Sequence, residues 1–215
     1  MARWNPAAPD WMPSGRLETN YVKFLPSAPG RWLMAALALL PSVGVAAVNS
    51  YPIDSARSQA VFGVRVLWLH TISGRFAHIV GVLTPDPSGA TAVVNASIAV
   101  ASVEMESART RRWMLAPDFF DADHYPDIHF ISDPVPLAML EHGGDITGRL
   151  SMRGRIRPVH FALLPSRCSL NLPKLCTIEV QGSVQRADFD MSSYRGALAD
   201  QVELSLEITL DDPLH

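Results

Sequence analysis

The 215-residue chain is poor in charge, in cysteine and in unbroken apolar sequence. Charged residues make up 18% of it, with 18 Lys and Arg against 21 Asp and Glu, so there is no basic excess for a phosphate backbone and no nucleic-acid partner is expected. The longest uncharged apolar run, Trp32 to Leu40, is nine residues, or sixteen if followed to Ala47, against the roughly 20 that a membrane-spanning helix needs. No G-x-S-x-G, P-loop, dinucleotide fingerprint or H-E-x-x-H is present, and no H-x-H lies on a strand. His70, His78, His129 and His160 are scattered, so no metal, no cofactor and no catalytic residue is assigned. Asp118, Asp121, Asp123 and His124 have enough oxygen for a cation but lack the Gly-bearing spacing of a calcium loop, and a helix-ending role is expected instead.

What the front of the chain does have is a leader pattern. Lys23 and Arg31 precede the apolar run, and Pro41 and the small-residue stretch Val45-Ala46-Ala47 follow it, as in a secretory signal peptide cleaved after Ala47. An uncleaved anchor or a buried core helix is the alternative. Met1 to Arg31 is too long and too rich in Trp, Pro and acid for an ordinary basic leader, so translation is expected to start near Val22. Residues 1–47 then stand apart from a domain of residues 48–215, which carries a formal charge of −5, and the protein is expected in the periplasm or outside the cell. A domain of 168 residues buries roughly 70% of the surface its unfolded chain exposes and needs no staples. Export nevertheless permits one. Cys168 and Cys176 sit eight apart around Asn171-Leu172-Pro173 and are expected to pair, a closure worth about 2.6 kcal/mol. Two sulfurs without a neighbouring Cys or His make a poor zinc site, and the spacing is not that of a C-x-x-C redox pair.

The rest of the chain alternates apolar and polar residues with period two. Ala60, Phe62, Val64 and Val66 share one face. Gly74 to Leu83 continues as a strand in which Phe76 and Ile79 fall out of phase, which predicts a bulge. After a turn at Pro85 to Gly89, Val94, Ala96, Ile98 and Val100 share a face, and Ile128 and Phe130 alternate further on. A turn over Glu141 to Asp145 leads to Ile146, Gly148, Leu150 and Met152; Gly154 closes that strand before Pro158, and a short strand carries Val159, Phe161 and Leu163. The cleanest pair is Ile178 to Val184 and Val202 to Leu210, each with one wet and one dry face. One stretch breaks the pattern. Arg109 to Ser132 reads as a short helix stopped by Pro117, with Asp118 accepting from free backbone N–H groups. Phe119 and Phe120 then point in different directions as a plug, and Tyr125-Pro126 forces an extended approach to a strand from Asp127 to Ser132. The expectation is all-β: about eight antiparallel strands with one or two short helices. Closure into a barrel is favoured because it removes the sheet edges.

Five motifs follow one another along the chain: Y-P-I-D-S-A-R-S-Q-A-V-F-G-V from Tyr51, G-R-F at Gly74 to Phe76, and F-F-D-A at Phe119 with Tyr125-Pro126 and Phe130 behind it, then G-R-L-S-M-R-G at Gly148 with Pro158-Val159, and R-A-D-F-D-M at Arg186 to Met191. In these motifs the chain from Tyr51 to Pro213 resembles the YceI-like family of secreted, lipocalin-shaped proteins. Two positions depart from it, Arg57 where the family usually has His and Asp190 where it usually has Gly. The resemblance implies a lipocalin-like barrel holding an isoprenoid or other long apolar chain.

The tunnel residues would be Phe62, Val64, Phe76, Val94, Ile98, Phe130, Leu150, Phe161, Val180 and Leu204, with Phe119 and Phe120 at one mouth. Burial at about 0.8 kcal/mol per CH₂ could hold such a ligand without a specific polar contact. Alternation identifies the dry face but does not say whether it encloses a hollow, so a filled barrel working through its outer surface stays open. Arg109, Arg111 and Arg112 are candidate contacts for a phosphate-like head group, a solvated helix face being the plainer reading, and Arg153, Arg155 and Arg157 pose the same choice. An enzyme acting on a long-chain substrate would need a titratable pair on the dry face, where only His78 is a candidate, so a non-enzymatic lipid carrier is preferred, with transient membrane contact and an undetermined oligomeric state.

Overall fold

The computed structural model describes residues 49–67 and 69–213, so the expected leader, its cleavage after Ala47 and the Val22 start lie outside the described residues. The period-two segments form one antiparallel sheet of twelve strand segments. They are β1 (Tyr51–Pro52), β2 (Gln59–Val66), β3 (His70–Phe76), β4 (Ile79–Pro85), β5 (Thr91–Ala99), β6 (Val103–Met105), β7 (Asp127–Ser132) and β8 (Val135–Pro136). β9 (Gly144–Met152), β10 (Arg155–Leu163), β11 (Thr177–Gln185) and β12 (Leu198–Thr209) complete it.

The count exceeds the eight strands expected because four of the expected strands are each interrupted: β1 leads into β2, β3 into β4, β5 into β6 and β7 into β8. Pairing runs β1-β4-β5-β7-β9-β10-β11-β12-β2-β3-β6, with β8 also against β5. The ring closes where Leu210, just past β12, bridges Ile53, just past β1, so that β12 reaches β1 as well as β2. Asp54 N–H donates to the Thr209 carbonyl at 2.9 Å and Asp211 N–H to the Pro52 carbonyl at 2.8 Å, so the ring of backbone bonds closes.

The bulge lies where the phase slip places it, at Ala77-His78. Phe76 and Ile79 are both buried, and the two residues between them leave the ladder: Ala77 N–H donates to the Ser102 carbonyl, while the His78 carbonyl accepts from Ala99 N–H. The strand starts at His70 rather than Gly74, since Thr71 to Ser73 pair with β2 although they carry few apolar residues. His78 is exposed and bonds to Ser55, so the bulge does not turn it inward. Pro158 does not precede its strand but lies inside β10, opposite Arg149. A residue without an N–H is tolerated there because β10 pairs with β11 only over Phe161 to Leu163, leaving its far side without a ladder at Pro158. The turn expected over Glu141 to Asp145 falls slightly earlier, at α2 (Met139–His142) and Gly143, and Asp145 is already in β9.

Three glycines on the wall let aromatic rings lie flat across it. A Cβ on Gly74 would meet the Phe62 ring and Met105, one on Gly148 would meet Phe130, and one on Gly182 would meet Phe161. The rings cover the bare backbone and allow the sheet to curl.

The stretch that interrupts the pattern is helix α1 (Ala108–Leu115), capped by Ser107, whose hydroxyl accepts from Thr110 N–H at 3.0 Å. Asp118 does not cap the turns after the helix. The free N–H groups of Phe119, Phe120, Asp121 and Ala122 fold back onto the carbonyls of Ala116, Met114, Ala116 and Leu115, and the Asp118 carboxylate accepts instead from the Ser193 hydroxyl at 3.3 Å. The two Phe rings diverge as expected: Phe119 packs on Trp113 and Tyr194, Phe120 on Phe62 and Phe76. Asp121 pairs with His124 at 2.8 Å, and that contact raises the imidazole above its ordinary pKa.

At the other end of the barrel a disulfide joins Cys168 to Cys176 in the connection between β10 and β11. Both residues that depart from the family pattern have partners. Arg57 Nε donates to Asp54 at 2.6 Å and its Nη1 to the Lys174 carbonyl at 2.8 Å. Asp190 takes the left-handed conformation (φ 58°, ψ 25°) that a Gly would take without cost, and its carboxylate accepts from Arg155 Nε at 2.6 Å.

Because the disulfide closes a short loop beside a short ladder, Cys168→Ser with Cys176→Ser is expected to cost about 2.6 kcal/mol, or roughly 5–10 °C in Tm for a domain of this size. Calorimetry of the double variant checks this; an unchanged Tm would contradict it. The Arg57 hydrogen bond, helped by the Ala56 N–H and by the charge of Arg57, holds the Asp54 carboxyl below its ordinary 3.8 against a smaller desolvation effect. Its contribution to stability is therefore present above pH 3.8 and fades as pH falls through the lower folded value. An NMR titration should find Asp54 titrating below 3.8, and Arg57→Gln should move it upward; an Asp54 that titrates identically in both proteins would refute the pairing.

Candidate functional site: an apolar tunnel in the barrel

The dry faces of the strands enclose a cavity of about 190 Å³. Engineered apolar cavities of about 150 Å³ stay dry and admit a benzene ring, so this space is of ligand-holding size and is more than a packing defect. From β2 come Phe62 and Val64, from β3 Phe76, and from β5 Val94 and Ile98. Phe130 of β7, Leu150 of β9, Phe161 of β10, Val180 of β11 and Leu204 of β12 complete the ring, and Phe119 and Phe120 enter from the segment after α1. All twelve residues expected on the tunnel wall therefore line one space.

They are joined there by residues the alternation did not single out as tunnel wall. Met114, Met152 and Met191 line the cavity, and their unbranched, polarisable chains can repack around ligands of irregular shape. Ile53, Leu83, Ile146, Ile178 and Leu210 line the end near the disulfide. At the opposite end the chain folds over the opening, where Trp113, Phe119 and Tyr194 form an aromatic cluster with ring centroids 4.6–6.0 Å apart.

Among the described residues the only charged side chain on the lining is Arg186, which is 4% exposed. It opens the short 3₁₀ turn Arg186–Phe189 directly after β11. Its Nη1 donates to the Ala199 carbonyl at 3.3 Å and its Nη2 to the Ser193 carbonyl at 2.7 Å, and its guanidinium carbon lies 5.6 Å from the centre of the Phe119 ring. Burial pulls its pKa below the ordinary arginine value, partly offset by the nearby Asp200 and reinforced by the like charge of Arg195. The sequence carried a sign of this. Ile178, Val180, Gly182 and Val184 occupy the dry face, and Arg186 is the next residue in that phase.

The structure does not bring Arg109, Arg111 or Arg112 to the cavity. Arg111 ties α1 to β6 and to the turn before it through the carbonyls of Val103 and Ala101, at 2.8 and 2.6 Å, while Arg109 and Arg112 face solvent. Arg153 and Arg155 are engaged with Asp190, and Arg157 is half-buried and off the lining.

Comparison with known proteins sets this geometry in a family. The model of the YceI-like domain matches residues 51–210. Protein YceI of Shigella flexneri is 27% identical over 179 residues, covering 80% of this chain and 91% of that protein, and Protein YceI of Salmonella arizonae is 26% identical over the same span. Among solved structures, Burkholderia cenocepacia BcnA superposes with a TM-score of 0.61 at 20% identity, covering 74% of this chain and 99% of BcnA. A polyisoprenoid-binding domain from Saccharophagus degradans, implicated in plant cell wall breakdown, superposes with a TM-score of 0.57 at 16% identity, over 76% and 98% of the two chains. At those identities the structures speak to the fold, a lipocalin-like barrel, while the domain match covers the whole barrel: the chain belongs to the YceI-like family.

Proposed function

We propose that this protein is an exported, non-enzymatic carrier or buffer that holds an isoprenoid-like or other long-chain apolar lipid inside the barrel. The observation that carries the reading is the cavity itself, whose lining among the described residues is apolar but for one arginine. Each methylene moved from water into such a wall contributes about 0.8 kcal/mol. Ten of them give roughly 8 kcal/mol, the free energy of micromolar binding before the cost of association is subtracted. A long tail thus supplies affinity without directional contacts.

Several features support binding over chemistry. General acid–base catalysis needs a positioned group that titrates near the working pH, whereas the one titratable side chain among the described lining residues is an arginine, and His78 lies outside. A barrel packed solid and acting only through its outer surface would leave no cavity of this size. The Saccharophagus domain with the same fold is a polyisoprenoid binder, which supports an isoprenoid-like ligand here. The leader pattern before Val48 supports export. Transient contact with a membrane is supported by the hairpin between β2 and β3, where Leu67 and Leu69 are 57% and 79% exposed. That hairpin is tied to the plugged end by the bond from Leu67 N–H to the Ala197 carbonyl.

Purified without detergent, residues 48–215 should yield about one long-chain lipid per protein in an organic extract read by mass spectrometry. Val64→Trp and Ala96→Phe, which place bulk inside the tunnel, should reduce that yield at least about ten-fold while the protein stays folded. A lipid-free protein that also fails to take up polyprenyl lipids on titration would end the carrier reading. For export, the N-terminus of the protein recovered from the periplasm or medium should begin at Val48; protein retained in the cytoplasm with Met1 to Asn20 intact would contradict it.

A further inference from the structure

Among the described residues the lining is apolar except for one cation, and that asymmetry bears on which lipid it suits. We propose that Arg186 is the head-group site of the tunnel and that the preferred ligand is a single-chain lipid ending in an anionic oxygen head, a carboxylate or a phosphate. This rests on the carrier reading above and adds the chemical class of the head and its direction in the barrel.

A guanidinium taken out of water needs either a counter-ion or enough acceptors to replace its lost hydration. Arg186 has neither in full. It is 4% exposed, and two of its nitrogens donate to neutral carbonyls. No carboxylate forms an ion pair with it among the described residues. Asp200, whose charge acts on it, has an oxygen engaged by the Ala187 N–H at 2.9 Å. The guanidinium carries five N–H donors in a planar fork, so donors remain beyond those given to Ser193 and Ala199.

What it faces is the cavity, whose other lining residues are apolar. A hydrocarbon filling that space would leave the charge uncompensated. An anionic oxygen would supply the missing partner through the charge-assisted, two-pronged contact that guanidinium groups make with carboxylate and phosphate. The position suits a head rather than a tail, because Arg186 lies against Phe119 at the plugged mouth, whereas the wall toward the disulfide is formed by Ile53, Leu83, Ile146, Ile178 and Leu210. The lipid would then lie with its tail toward the disulfide end and its head under the aromatic cluster.

A chain-matched pair of probes tests this. Calorimetric titration of lipid-stripped residues 48–215 with oleate and with oleyl alcohol should show oleate binding at least about ten-fold tighter. Acetate alone should not bind measurably, which separates a lipid head from a free carboxylate. Arg186→Met should bring the ratio to about one with oleyl alcohol affinity within about three-fold of the parent, and Arg186→Lys should fall between them. Arg186 also holds the connection between β11 and β12, so a variant that fails to fold is replaced by a measurement on the parent protein. The Arg186 Nε–H resonance should shift with oleate and not with oleyl alcohol.

An alcohol that binds as well as the acid, a ratio that survives Arg186→Met, or an Arg186 resonance that ignores oleate would each overturn the assignment while leaving the tunnel intact. If neither probe binds, the head-group assignment falls, and the carrier reading falls with it only where polyprenyl lipids also fail to bind.

Discussion

A closed ring of backbone hydrogen bonds is the constraint on which this protein rests. Once Leu210 meets Ile53, eight strands must share one circumference, and that circumference sets an interior that the inward side chains either fill or leave partly empty. Here they leave it partly empty. Phe62, Phe130 and Phe161 lie across Gly74, Gly148 and Gly182. Rings spread along the wall cover the sheet where it bends, and the axis of the barrel stays open.

The same closure makes the ends of the barrel decisive, since a closed wall admits a ligand only through a mouth or through a gap in the ladder. One end is drawn in by the connection carrying the disulfide and by Ile53 and Leu210. At the other, the chain leaves the sheet after β6, turns through α1 and folds Phe119 and Phe120 over the opening, with the freed N–H groups satisfied by the carbonyls of the helix's last turn. A second connection, from Arg186 to Ala197, meets that plug through Tyr194 and through the Asp118–Ser193 bond. The one charge on the described lining therefore sits where two connections meet. Beside it, β10 and β11 pair only over Phe161 to Leu163, with one further bond from Leu164 N–H to the Glu179 carbonyl, and Asp190 spans the remainder through Arg155 and Arg153. The left-handed turn at Asp190 thus couples the cavity's mouth to the weakest ladder of the wall.

Much of this is legible in the sequence, for definite reasons. Alternation assigns Phe62, Val64, Ile98, Leu150 and Leu204 to the inner face because a strand presents successive side chains to opposite sides, whatever the strand pairs with. The slip between Phe76 and Ile79 announces the bulge because two inward residues three apart cannot both face in without an extra residue. Asp118 is not legible in the same way, because capping is a local pattern whereas its partner, Ser193, is 75 residues away in sequence. Arg111 escapes for a similar reason: a helix-face arginine in sequence becomes a tether once α1 folds against the carbonyls of Ala101 and Val103.

The sequence by itself determined the all-β class, which side of most strands is dry and where the pattern breaks. These depend on local backbone geometry and on the period of the side chains. Only the tertiary structure decided that the dry side encloses a space, that the plug covers one end of it, and that Arg186 rather than Arg109, Arg111 or Arg112 reaches it. Volume and charge placement are set by the closure of the ring and by which connections cross its mouth, and both bring together residues whose separation along the chain carries no local signal.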